Sequence, residues 1–167
     1  MRKYGLLVGA LLLGSVAVKP AEAQVQFGAN IAWGDDTDFG VGGRLNFGLG
    51  SSLKAKGITA MATFDYFFPD GFDFWEATAN GIYHINTASS TRPYVGAGVS
   101  LARSSFDDQG VCQILDCDAS NSEFGLNLLG GVKFAAMGNV VPFVEARFAV
   151  RDGSQFVIAG GVFFGKP

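Results

Sequence analysis

The chain has 167 residues, of which 49% are hydrophobic and only 16% are charged, against about 25% charged residues in an average soluble domain. Its formal net charge is −3 at pH 7, and no basic surplus points to nucleic acid as a partner. The length predicts one domain, and the apolar excess argues against an ordinary soluble one.

The first 23 residues have the features of a secretory signal peptide. A basic start at residues 1–3 precedes an apolar run at 6–18, and a small-x-small pattern follows at 21–23. The run is short for a membrane-spanning helix. We predict cleavage after Ala23 and a mature domain of residues 24–167. The alternative is a retained N-terminal anchor helix.

The rest of the chain alternates apolar and polar residues with the period of a β-strand. Eight such segments are predicted, separated by turn signals, at 25–33, 39–50, 58–68, 73–85, 92–102, 123–134, 141–151 and 155–164. No later apolar run is long enough for a transmembrane helix. The other structure that can span a membrane is a closed β-barrel, because it too hydrogen-bonds every backbone group in lipid. We therefore predict an all-β fold, a single eight-stranded antiparallel up-and-down transmembrane barrel.

The polar face of these strands is rich in glycine, asparagine and serine and carries few charges, which suits a narrow lumen better than a soluble surface. On that face, Arg44 points into the barrel and needs partners, because an unpaired buried charge is very costly. We predict that a charge network plugs the lumen; the alternative is an ion or proton path. The predicted members are Asp38, Arg44, Asp65, Glu76, Lys133, Glu145, Arg147 and Arg151.

Outward aromatic residues group near the two ends of the predicted strands, as in the aromatic girdles of membrane barrels. The predicted outer girdle contains Trp33, Phe39, Tyr66, Trp75 and Phe124, and the inner girdle contains Phe47, Tyr83, Phe134 and Phe164. For any single ring, an ordinary strand aromatic remains the alternative.

The segments RPYVGAGVSLA, FGLNLLGGVKF and VPFVEARFAV resemble strands of small OmpA/OmpX-type outer-membrane β-barrel proteins, often labelled the porin family. The resemblance covers essentially the whole mature chain and rests on pleat and glycine patterns. It implies export to the periplasm of a Gram-negative-type cell and insertion by the barrel assembly machinery, with periplasmic chaperones as partners. We expect outer-membrane lipid and lipopolysaccharide as the partners of the inserted barrel, and we expect a monomer.

Two departures from the family pattern are visible. Many relatives end on an aromatic residue, whereas here three residues follow Phe164. We also expect no peptidoglycan-binding domain of the kind that OmpA-like proteins carry after the barrel.

The longest predicted connection, residues 104–122, contains the two cysteines of the chain. In an exported protein, Cys112 and Cys117 are expected to form a disulfide; metal binding is the alternative. Carboxylates in this loop favour a solvated acidic rim over a cation site. We expect no cofactor and no metal.

The single histidine, His84, lies on the polar face and is predicted to be a lumen residue. We therefore expect a non-catalytic structural or surface-interaction role that exposes the 104–122 loop. Three alternatives stay open: a lipid A-modifying barrel enzyme, a small pore, and a soluble lipocalin-like carrier of an apolar ligand.

Overall fold

The computed structural model describes residues 25–48, 57–106 and 120–165. These residues form eight β-strands, in chain order β1 (Val25–Gly34), β2 (Asp38–Gly48), β3 (Ile58–Phe67), β4 (Phe72–His84), β5 (Arg92–Phe106), β6 (Ser120–Lys133), β7 (Val140–Val150) and β8 (Gln155–Phe164). Within those ranges, no helix is long and apolar enough to cross a membrane.

Every strand pairs antiparallel with its neighbours in the sequence, and β8 returns to pair with β1. Phe27 on β1 lies opposite Phe164 on β8 in this last ladder. The sheet is therefore a closed barrel, and the predicted eight-stranded antiparallel fold is confirmed.

The two ends of the barrel differ in their connections. We call the end with the turns 35–37, 68–71 and 151–154 and the connection 107–119 the distal end. The other end, where β1 begins and β8 finishes, is the terminal end. Two distal turns depend on glycine, because Gly71 and Gly153 have φ angles of 87° and 82°, which other residues rarely adopt.

The hairpin of β5 and β6 is longer than predicted. Ser104 pairs with Asn121 and Ser105 pairs with Ser120, so the connection spans 107–119 instead of 104–122. The sequence pattern ended these strands where apolar alternation stops. Backbone pairing continues further because polar side chains do not prevent it.

Large apolar side chains on the outward face are exposed, among them Leu126 and Leu128, while Asn127 between them is buried in the lumen. The lumen also contains two apolar clusters that the polarity pattern did not reveal. The terminal cluster comprises Met61, Ile82, Tyr94, Leu129, Val141, Phe143 and Phe163. The distal cluster comprises Ala32, Phe67, Phe74, Ala102, Val157 and Ala159. The charged side chains lie largely between these two clusters.

Inward-facing glycines make room for the long lumen side chains. A Cβ atom at Gly42 would overlap the Asp65 carboxylate, and one at Gly131 would overlap the Tyr94 ring. At the outward-facing Gly43, in contrast, the nearest heavy atom is 4.0 Å away. An eight-stranded barrel leaves just enough interior for side chains, so glycine on one wall permits a large residue on another.

Candidate functional site

The centre of the lumen contains an ion-paired layer built around Arg147 of β7. Its Nη2 atom lies 2.9 Å from Asp65 Oδ2 and 2.7 Å from Glu76 Oε2. The arginine side chain is 2% exposed and both carboxylates are completely buried. Such short, charge-assisted contacts are the strong kind of hydrogen bond, provided that every charge is paired.

The sheet register explains why one arginine serves two carboxylates. Asp65 on β3 and Glu76 on β4 are direct cross-strand partners, an arrangement that repels when the charges are alike. Arg147 reaches them from the opposite wall, and Arg151 Nη1 adds a second contact to Glu76 Oε1 at 2.9 Å. The pair is thus neutralised across the lumen.

A second ion pair joins β2 to β7. Arg44 Nη1 lies 2.8 Å from Glu145 Oε1, and the guanidinium carbon is 4.5 Å from the Phe143 ring centroid. The Tyr94 hydroxyl donates to the other oxygen of Glu145 at 2.9 Å. The guanidinium predicted to point inward therefore lies between a carboxylate and an aromatic face.

Asn30 connects the two ion pairs into one network. Arg44 Nε donates to Asn30 Oδ1 at 2.9 Å, and Asn30 Nδ2 donates to Asp65 Oδ1 at 2.8 Å. Neither Asn30 nor Tyr94 was among the predicted network members. Their inward parity was the available signal, but neither residue carries a charge.

Two predicted network members lie elsewhere. Asp38 was placed in the lumen by parity, and this was wrong: it is exposed and has a φ of 55° directly after the 35–37 turn. At the first residue of a strand, the turn and not the pleat directs the side chain. Lys133 is buried, but its Nζ lies 4.4 Å from the Phe163 ring centroid at the terminal end, and its ammonium forms no ion pair within the described ranges.

The predicted girdle residues lie on the outer face, near the strand ends. At the distal end, Trp33 pairs with Phe39 across β1 and β2, and Tyr66 pairs with Trp75 across β3 and β4; Phe124 is 81% exposed on β6. At the terminal end, the predicted set is Phe47, Tyr83, Phe134 and Phe164. Aromatic rings on the outer wall suit the two water–lipid interfaces.

The sequence profile described as Opacity family porin protein matches residues 51–150. The chain belongs to this family. It is therefore an eight-stranded outer-membrane barrel, as the resemblance implied. No curated protein matches its sequence significantly.

Solved structures show the same fold as this Opacity-family barrel. Neisserial surface protein A has a TM-score of 0.61 at 22% identity, covering 85% of this chain and 96% of its own. The N-terminal barrel domain of Pseudomonas aeruginosa OprF has a TM-score of 0.65 at 17% identity, covering 87% and 100%. Ail, the attachment invasion locus protein of Yersinia pestis, in complex with the heparin analogue sucrose octasulfate, has a TM-score of 0.55 at 14% identity, covering 85% and 96%.

Of the remaining predicted sites of the Opacity-family barrel, only His84 lies within the described residues. Cys112 and Cys117, like the signal peptide, lie outside the described residues. His84 ends β4, with its Nε2 3.1 Å from Thr59 Oγ1 and its ring 6.0 Å from that of Tyr94. Across the described ranges, no group of three or more His, Cys, Asp or Glu side chains could hold a metal ion.

Proposed function

We propose that the protein is a non-catalytic scaffold of the outer membrane that holds a surface loop on a barrel with a closed lumen. The observation that carries this proposal is the ion-paired layer, in which Arg44 and Arg147 reach carboxylates on other walls of the barrel. Apolar clusters lie on both sides of the layer. The interior of an eight-stranded barrel is just wide enough for side chains to fill it, which supports a lumen without a continuous water column.

The proposed orientation places the terminal end in the periplasm and the distal end outside the cell. It is supported by the position of the longest connection, 107–119, which is at the distal end. Surface loops carried on a rigid scaffold are a common location for binding residues. We propose that this loop is pinned by a Cys112–Cys117 disulfide and contacts an extracellular partner. We also propose that the barrel is monomeric in lipid and lipopolysaccharide.

The closed lumen is tested by conductance in planar bilayers. Protein whose folding is verified by faster gel migration before boiling is expected to give no conductance steps. Reproducible steps from such folded protein would contradict the scaffold and favour a small pore.

The orientation is tested by labelling single cysteines on intact cells with a membrane-impermeant maleimide. In a background without Cys112 and Cys117, Gln109→Cys in the connection should react, whereas Ala136→Cys in a terminal turn should react only after lysis. Labelling of Ala136→Cys alone on intact cells would reverse the proposed orientation.

A further inference from the structure

A cavity of about 530 Å³ opens at the terminal end, separate from the ion-paired layer. Its walls include the side chains of Asn46, Thr59, His84, Arg92 and Lys133. This volume falls within the range of about 300–1,000 Å³ that is common for small-molecule sites. The cavity is thus large enough for a small polar ligand.

Two positively charged side chains, and no acidic one, line this cavity. Arg92 on β5 and Lys133 on β6 are direct cross-strand partners, a register that places like charges about 5 Å apart at their Cβ atoms and destabilises the pair. Lys133 is only 8% exposed. Its Nζ atom lies over the Phe163 ring, and no ion pair within the described ranges involves its ammonium or the Arg92 guanidinium.

Among the residues that the structure describes, none supplies a carboxylate to this mouth. None of the cavity-lining residues is acidic. The connections at the terminal end, 49–57, 85–91 and 134–139, contain neither Asp nor Glu, although 49–57 contains two lysines. A buried, unpaired ammonium is costly, so an anion from outside the chain would stabilise the folded barrel.

We propose that this cavity binds a phosphate group carried by a small polar molecule or a lipid headgroup. Lys133 supplies the buried charge, Arg92 supplies a second cation with a planar set of donors, and Thr59 with other hydroxyls supplies hydrogen bonds. Two cations and several donors match a group with three or four acceptor oxygens better than a carboxylate with two. This inference goes beyond the scaffold role and does not depend on it.

The test uses the full mature protein refolded in non-ionic micelles. Inorganic phosphate is titrated while backbone amide shifts are followed by NMR, with sodium chloride at equal ionic strength as the reference. Saturable shifts are expected at Arg92 and Lys133 and not at the 151–154 turn. Lys133→Met keeps an apolar stem against Phe163 and should weaken binding about tenfold or more, since it removes a charged hydrogen bond. The exposed distal variant Arg103→Gln should leave binding unchanged.

The source of the phosphate is decided by a second preparation. Nanodiscs of phosphatidylcholine, whose headgroup phosphate is balanced by its own choline cation, are compared with nanodiscs that also contain the anionic phosphatidylglycerol. Shifts at Arg92 and Lys133 that depend on phosphatidylglycerol, and are lost in Lys133→Met, would assign the group to a lipid headgroup. Saturable shifts with inorganic phosphate in micelles, without any dependence on phosphatidylglycerol in nanodiscs, would assign it to a soluble ligand. The proposal is overturned if neither preparation gives saturable shifts, or if Lys133→Met responds like the wild type.

Discussion

Asp65 and Glu76 oppose each other directly on β3 and β4, with both carboxylates completely buried, and Arg147 bonds to both of them. Water cannot solvate either carboxylate, because both are buried. The two adjacent negative charges are therefore stabilised by an arginine from another strand. We therefore expect the loss of Arg147 to have a large effect on the stability of the barrel.

Replacing Arg147 should therefore lower the free energy of unfolding far more than a substitution on the protein surface. Arg147→Met is expected to destabilise the barrel by about 3–5 kcal/mol, because it leaves two adjacent buried acids without their main partner. Urea unfolding in lipid vesicles, followed by tryptophan fluorescence, measures the change. The triple variant Asp65→Asn, Glu76→Gln, Arg147→Met should recover most of the loss. A loss below about 1 kcal/mol in the single variant would contradict the ion-paired layer.

On the outward face of β6, we expect a charged residue to destabilise the barrel more at mid-membrane depth than near the interface. Leu128 lies mid-strand, opposite Ala97 and Phe148, and is 59% exposed. Leu128→Arg should cost about 2–4 kcal/mol in lipid, whereas Phe124→Arg, nearer the interface, should cost about 0–1 kcal/mol from its charge. The same unfolding assay compares them. Equal stability of Leu128→Arg and wild type would show that this face does not meet lipid.

Two adjacent glycines on β2 form a matched pair for testing lumen packing. Gly42→Ala places a methyl group against the Asp65 carboxylate, while Gly43→Ala faces open space on the outer wall. We expect the first to cost about 1–3 kcal/mol through overpacking and the second to be nearly neutral or slightly stabilising. Similar stabilities of the two variants would show that the lumen can relax around the added carbon.

The alternative of a lipid A-modifying enzyme is tested at His84, the single histidine of the chain. Its side chain contacts the Thr59 hydroxyl and lies near the Tyr94 ring, which fits a packed residue at the mouth of the lumen. In cells that express the protein, His84→Ala should leave the lipid A profile seen by mass spectrometry identical to that with wild type. A lipid A change that appears with wild type and disappears in His84→Ala would identify an enzyme.

Much of the barrel was predictable because period-two alternation is a local property of the chain. The bounds of β8, Gln155–Phe164, match the predicted segment, and the inward parity of Arg44 and Glu145 was visible without coordinates. Their pairing was not, because contacts across a lumen depend on strand tilt and stagger, which parity does not specify.

The apolar lumen clusters escaped prediction for a different reason. Tyr66, Phe67 and Phe68 form an aromatic run, so polarity does not separate the faces there, although Phe67 is fully buried in the distal cluster. Phe143 and Phe163 have inward parity, yet they were passed over because the lumen was identified by its polar residues. Pleat position is therefore a better guide to the inner wall than chemical character.

The pairing of β8 with both β1 and β7 means that a single strand closes the ring. The facing edges of β1 and β7 therefore stay open until Gln155–Phe164 is in place. Unpaired edges invite aggregation in water and cannot be accommodated in lipid. Ring closure therefore depends on the ten residues of β8, and we expect the barrel to fold as one cooperative unit.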